Sequence, residues 1–120
     1  MKKLFLFSII LTANSAFADL YSEIHRCTFN WQGKVNTITL YQHTPGGLYG
    51  LVHYQTINEP TMIADAKFTI ESTDVKTGNK TMKVETEIGN FDIVNGINSI
   101  QNITLGDGTT ASMDCRDLTI

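Results

Sequence analysis

The sequence predicts an all-β fold, a small antiparallel barrel of about eight short strands, with a β-sandwich as the alternative. Three observations predict it. Apolar and polar residues alternate with period two from Glu23 onward, turn residues recur at spacings of about ten positions, and no long stretch keeps helical periodicity. Cys27 near the start and Cys115 near the end tilt the choice toward a closed sheet. A bond between them would lay the first strand beside the last and remove the exposed edges that invite aggregation.

The elements follow in order. His25, Cys27, Phe29 and Trp31 share one face of the first predicted strand, and Ile24, Arg26, Thr28 and Asn30 share the other. Gln32-Gly33 turns the chain into a strand over 34–41 that is rich in β-branched residues. "HTPGG" (43–47) is a strong breaker before a strand over 48–56, in which Gly50 is read as the mark of a bulge. After "INEP" (57–60) comes the clearest alternation in the chain. Met62, Ala64, Ala66, Phe68 and Ile70 face one way, and Ile63, Asp65, Lys67, Thr69 and Glu71 the other. A brief helical turn is expected over 72–76, and "KTGNK" (76–80) closes a hairpin into a strand over 81–88. There Met82, Val84, Thr86 and Ile88 oppose Lys83, Glu85 and Glu87, with Lys67 and Lys83 placed to meet these glutamates across strands. A strand over 91–94 leads to Asn95-Gly96, the dipeptide of a two-residue hairpin. The strand over 97–105, the turn "GDG" (106–108) and a strand over 109–115 complete the sheet, with Ala111, Met113 and Cys115 on one face.

The first residues read as an address rather than as structure. Met1-Lys2-Lys3 is followed by an uncharged run over 4–13 and by Ala16-Phe17-Ala18, the pattern of a bacterial Sec-type signal peptide cleaved after Ala18. The apolar run is too short to span a bilayer, which takes about 20 residues. No second run of that length occurs, so no membrane span is expected after cleavage. The mature chain, residues 19–120, is expected as a single domain in the periplasm or secreted. It keeps 7 basic residues against 12 acidic ones. An acidic surface repels phosphate backbones, which excludes nucleic acid as the expected partner. It favours encounter with cationic proteins or metal ions, the alternative being that the charge serves solubility alone.

An oxidising compartment and an even cysteine count predict a disulfide between Cys27 and Cys115, the only pairing that two cysteines permit. No C-x-x-C pair or clustered ligand set speaks for redox or zinc chemistry, so no metal and no cofactor are expected. Nucleophile-elbow, metalloprotease, phosphate-loop and calcium-loop spacings do not occur, and no catalytic residue is assigned. Four residues are candidates for binding. Trp31 is the lone tryptophan, either core over the disulfide or an aromatic anchor at a barrel mouth. Tyr49 and His53 share one strand face with Leu51 and Gln55, and Lys76 lies in the turn 76–80. Asp114, Arg116 and Asp117 are placed to pair locally, and Arg26 joins them if the disulfide forms.

The expected function is that of an exported, non-catalytic binding or inhibitor module whose partner is a cationic or envelope protein. The alternative is a carrier of a small apolar ligand in the barrel interior, where Ala64, Ala66 and Ala111 would leave room. In layout the chain is loosely similar to the small periplasmic inhibitors of C-type lysozyme, on the cysteine segments "HRCTF" and "MDCRDL". The resemblance implies an acidic exported barrel with a lysozyme-like partner. It carries over no functional residue. In the stretch 70–84, "IESTDVKTGNKTMKV", Ser72, Lys76 and Gly78 are kept, but that family's recognition pattern is not.

Overall fold

The computed structural model describes residues 21–43 and 47–120, so the signal-peptide expectation for residues 1–18 lies outside the described residues. Eight strands are found among the described residues: β1 (Tyr21–Trp31), β2 (Lys34–His43), β3 (Tyr49–Thr56), β4 (Met62–Thr73), β5 (Lys80–Thr86), β6 (Gly89–Val94), β7 (Ser99–Leu105) and β8 (Thr110–Asp117). Each pairs antiparallel with the next, and β8 returns to β1, so the sheet closes into a barrel. Barrel rather than sandwich is therefore the architecture. Cys27 and Cys115 lie directly opposite each other on the β1–β8 ladder and are joined by the predicted disulfide.

Period-two alternation builds the interior. Ile38 and Leu40 from β2, Val52 from β3, Ala66 and Phe68 from β4, and Met82 and Val84 from β5 all point inward and are buried. Phe91, Ile93, Ile103 and Met113 complete the core from β6 to β8, with the disulfide embedded among them. The barrel is thus filled by side chains, as a barrel of this strand number can be. On the outside Lys67 stands opposite Glu85, as expected, while Lys83 stands opposite Thr69 and Asp92.

Several local expectations are corrected. The β1–β2 ladder shifts register between Glu23 and His25, so Ile24 and His25 are both buried instead of facing opposite ways. A bulge inserts one residue and turns two neighbours to the same side. The ladder through Gly50 is unbroken, with Gln42 on one side and Ala66 on the other. Glycine is used there for close approach: a Cβ would collide with the main-chain oxygen of Tyr41 and lie 2.9 Å from the Phe68 ring. The helical turn expected over 72–76 forms two residues later, over 74–78, where the Gly78 amide donates to the Asp74 carbonyl at 2.8 Å. β4 runs to Thr73, and Asp74 caps the turn by accepting bonds from the amides of Lys76 and Thr77. Asn95-Gly96 does not close a two-residue hairpin, because β6 ends at Val94 and β7 begins at Ser99. Gln32 and Gly33, by contrast, are such a turn. Both have positive φ, 53° and 73°, the combination that matches strand twist.

Candidate functional site

In a meander the turns alternate between two ends. The β1–β2, β3–β4, β5–β6 and β7–β8 connections lie at one mouth, and the first residue of β1, the β4–β5 and β6–β7 connections and the end of β8 lie at the other. Trp31, at the last position of β1, belongs to the first mouth, about 13 Å along the strand from Cys27. It packs half-buried against the core cluster together with Tyr54, Ala64, Ile88 and Leu105. These side chains and the exposed Met62 and Ile63 surround an open depression of about 390 Å3. Glu87, Gly106 and Asp107 complete its rim, so it carries two carboxylates and no lysine or arginine.

The walls of this mouth are held by polar contacts. Asn36 on β2 is fully buried, and its Oδ1 accepts bonds from the Tyr54 hydroxyl at 2.6 Å and the Thr56 hydroxyl at 2.7 Å. Its Nδ2 donates to the Lys34 carbonyl at 3.0 Å. The Tyr54 ring lies 6.3 Å from that of Phe29. In the β5–β6 turn the Thr86 hydroxyl donates to the Gly89 carbonyl and accepts from the amides of Ile88 and Gly89, which fixes Ile88 at the rim. Asp107 accepts from the hydroxyl and amide of Thr109, and those bonds hold its carboxyl below the usual carboxylate range. Lys34, at the same end, is bonded to Glu59 at 3.2 Å.

The other candidate residues lie elsewhere. Tyr49 and His53 do share the outward face of β3. Tyr49 is exposed beside a shallow groove with Tyr21, His43, Asp65 and Lys67. The His53 ring lies 4.4 Å from that of Tyr41, tilted by 49°, and the Tyr41 hydroxyl donates to Glu23 at 3.2 Å. Burial lowers the His53 pKa, with Glu23 opposing. Lys76 sits at the tip of the β4–β5 hairpin, at the opposite end from Trp31. The structure thus does not gather the four into one site.

The second mouth is closed by a polar plug. His25 is buried beneath the β6–β7 connection, and its Nε2 donates to the Val94 carbonyl at 3.2 Å. Asp117 stands 3.9 Å from the same nitrogen and accepts from the amides of Gly96 and Thr119 and from the Thr119 hydroxyl. Asp117 is therefore turned inward, away from the surface pairing expected of it. Arg116 pairs with Asp114 at 3.8 Å, and Arg26 pairs with Glu23 at 3.5 Å instead of joining the C-terminal acids. Burial pushes the Asp117 carboxyl up, but its hydrogen bonds and His25 together hold it below the usual range. Burial lowers the His25 pKa, against the opposing pull of Val94 and Asp117.

Sequence reasoning missed Asn36, Asp117 as a plug, and the rim formed by Met62, Ile88, Leu105 and Asp107. The signal available for Asn36 was an amide two residues before the apolar pair Ile38 and Leu40 on the same strand face. Among the described residues no group of three or more His, Cys, Asp or Glu side chains is placed to hold a metal. Comparison of the chain with protein-family models, with curated proteins and with solved structures found no match.

Proposed function

We propose that the mature chain is an exported, non-catalytic protein-binding module that meets its partner with the outside of the barrel. One observation carries this reading. The interior is occupied by the protein's own side chains, with Ile38, Leu40, Val52, Phe68 and Met113 essentially inaccessible, while large apolar groups remain exposed at the turns. A filled barrel offers its faces and mouths for recognition, and exposed aromatic and apolar groups are the usual anchors of protein interfaces. The surplus of acidic residues supports a cationic partner, and export rests on the signal-like segment over 1–18.

The experiment is a binding titration of residues 19–120, disulfide intact, against hen-type lysozyme at low and moderate salt, paired with a lysis assay. Saturable binding that weakens with salt is the expected result, since charge attraction is screened at higher ionic strength. An apolar dye taken up one-to-one, with no protein partner bound, would overturn the reading in favour of the carrier.

A further inference from the structure

We propose that the Trp31 mouth is the docking site for a basic, apolar protein segment, in which an aliphatic partner side chain enters the depression and a neighbouring lysine or arginine meets Glu87 and Asp107. The inference rests on the protein-binding reading and narrows it to one surface and one partner chemistry.

Three features of the mouth carry it. The first is shape: an open recess of about 390 Å3 accommodates one or two side chains, and its lining runs from Trp31 through Met62 and Ile88 to Leu105. Met62 and Ile63 are 60% and 63% exposed although they begin a strand whose next inward residue is half-buried. Groups of this kind lose water when a partner covers them, and burial of apolar surface drives association.

The second is charge. The two charged residues of the lining, Glu87 and Asp107, are both carboxylates. Lys34, the first residue of β2, is occupied by Glu59. Thr109 keeps Asp107 ionised by bonding to it. A cation approaching Trp31 therefore meets two negative groups and an aromatic ring, which attracts cations in its own right. The same charges disfavour other occupants. A second copy docked mouth to mouth would bring four carboxylates together, and an anionic lipid surface would be repelled.

The third is rigidity. The Asn36 network and the Thr86 turn brace the walls from behind. A preorganised recess loses little freedom when it is filled.

Trp31 is the only tryptophan, so its emission reports on this mouth and on nothing else. The test titrates the oxidised domain with a short Leu/Lys peptide lacking tryptophan, and in parallel with its Leu/Glu counterpart. The expected result is a saturable blue shift with the Lys peptide and none with the Glu peptide. The double variant Glu87→Lys/Asp107→Asn is expected to weaken the Lys peptide by about tenfold or more, because a like charge then faces it. Met62→Ser is expected to weaken it as well, and Lys76→Glu, at the other mouth, is expected to leave it unchanged. Far-ultraviolet circular dichroism confirms that each variant is folded. An equal response to both peptides, no shift up to about 1 mM peptide, or indifference to the double variant would each overturn the proposal. So would a shift with anionic vesicles and none with the Lys peptide. If lysozyme binds the wild type and the double variant equally, this docking site falls while the binding-module reading stands. A domain that binds neither lysozyme nor peptide removes both.

Discussion

Gly50 and His25 are two interior positions where a single atom decides what the barrel tolerates. A methyl group on Gly50 would meet the Tyr41 main chain and the Phe68 ring, neither of which can swing aside inside a closed sheet. Overpacking of this kind costs about 1–3 kcal/mol and more where backbone must move, so Gly50→Ala is expected at or above the upper figure in urea unfolding. His25 acts through its proton. Its pKa is lowered chiefly by burial, and its Nδ1 is buried without a hydrogen-bond partner among the described residues. The native state therefore resists protonation that the unfolded chain accepts near the ordinary histidine value of 6.5. Below that value the unfolded chain binds more protons, so stability falls with falling pH until native His25 itself titrates. The Asp117 contribution has the same sign in a more acidic window, present above the ordinary carboxylate pKa and lost as pH falls from there through the lower native value. Urea midpoints between pH 7.5 and 5 are thus expected to drop for the wild type. His25→Gln, which can still donate to Val94, is expected to show a smaller drop, the remainder coming from His53 with its similarly lowered pKa. An unchanged slope in the variant would remove His25 as the source.

At the level of elements, the strands and most of their faces were legible because alternation is a local property. Met82 and Val84 on β5, or Ala64, Ala66 and Phe68 on β4, needed no knowledge of a partner strand. The disulfide was legible too, because two cysteines permit one pairing. What stayed hidden depends on contacts far along the chain. The extra residue at Ile24 exists only relative to Tyr41 and Leu40 on β2. Asn36 becomes a fixed point only once Tyr54 and Thr56 lie beside it. The mouth shares this property: Trp31 could be singled out as a lone aromatic at a turn, whereas Met62, Ile88, Leu105 and Asp107 join it only when four separate turns converge. Two predictions belong to this scale. Asn36→Ala leaves the part-buried hydroxyls of Tyr54 and Thr56 without their acceptor and is expected to cost about 1–3 kcal/mol, read by chemical unfolding, with altered Trp31 emission as the mouth loosens. In the β1–β2 turn Gln32 holds φ at 53°, a conformation that asparagine accepts more readily. Gln32→Asn is therefore expected to stabilise the hairpin by about 0.5 kcal/mol, visible as a small rise in the thermal midpoint.

Closure of the whole molecule depends on its two shortest ladders. β1 and β8 pair over four positions, from His25 opposite Asp117 to Thr28 opposite Asp114, and β6 and β7 pair over three, from Gly89 to Phe91. The second is reinforced from inside by His25 on Val94 and Asp117 on Gly96. The first is reinforced by the covalent bond in the middle of its ladder. The two reinforcements are neighbours, since His25 and Cys27 lie on β1 and Asp117 and Cys115 on β8. Loss of the bond therefore frees both plug residues to separate, and the β6–β7 ladder loses its internal support at the same time. In the chain-entropy picture a link across 88 residues contributes about 4.5 kcal/mol. Domains of this size have about 5–15 kcal/mol in all, so the reduced protein is expected to be marginal. Urea unfolding with and without reductant, beside the Cys27→Ala/Cys115→Ala variant, measures this directly. Both conditions are expected to lower stability by several kcal/mol and to agree with each other. Hydrogen exchange is expected to accelerate first along β8 and β6–β7, while the longer β2–β3 and β4–β5 ladders stay protected. A loss below about 1 kcal/mol, within the range of ordinary surface contacts, would mean that packing alone closes the barrel. The short β1–β8 ladder would then be sufficient without its covalent link.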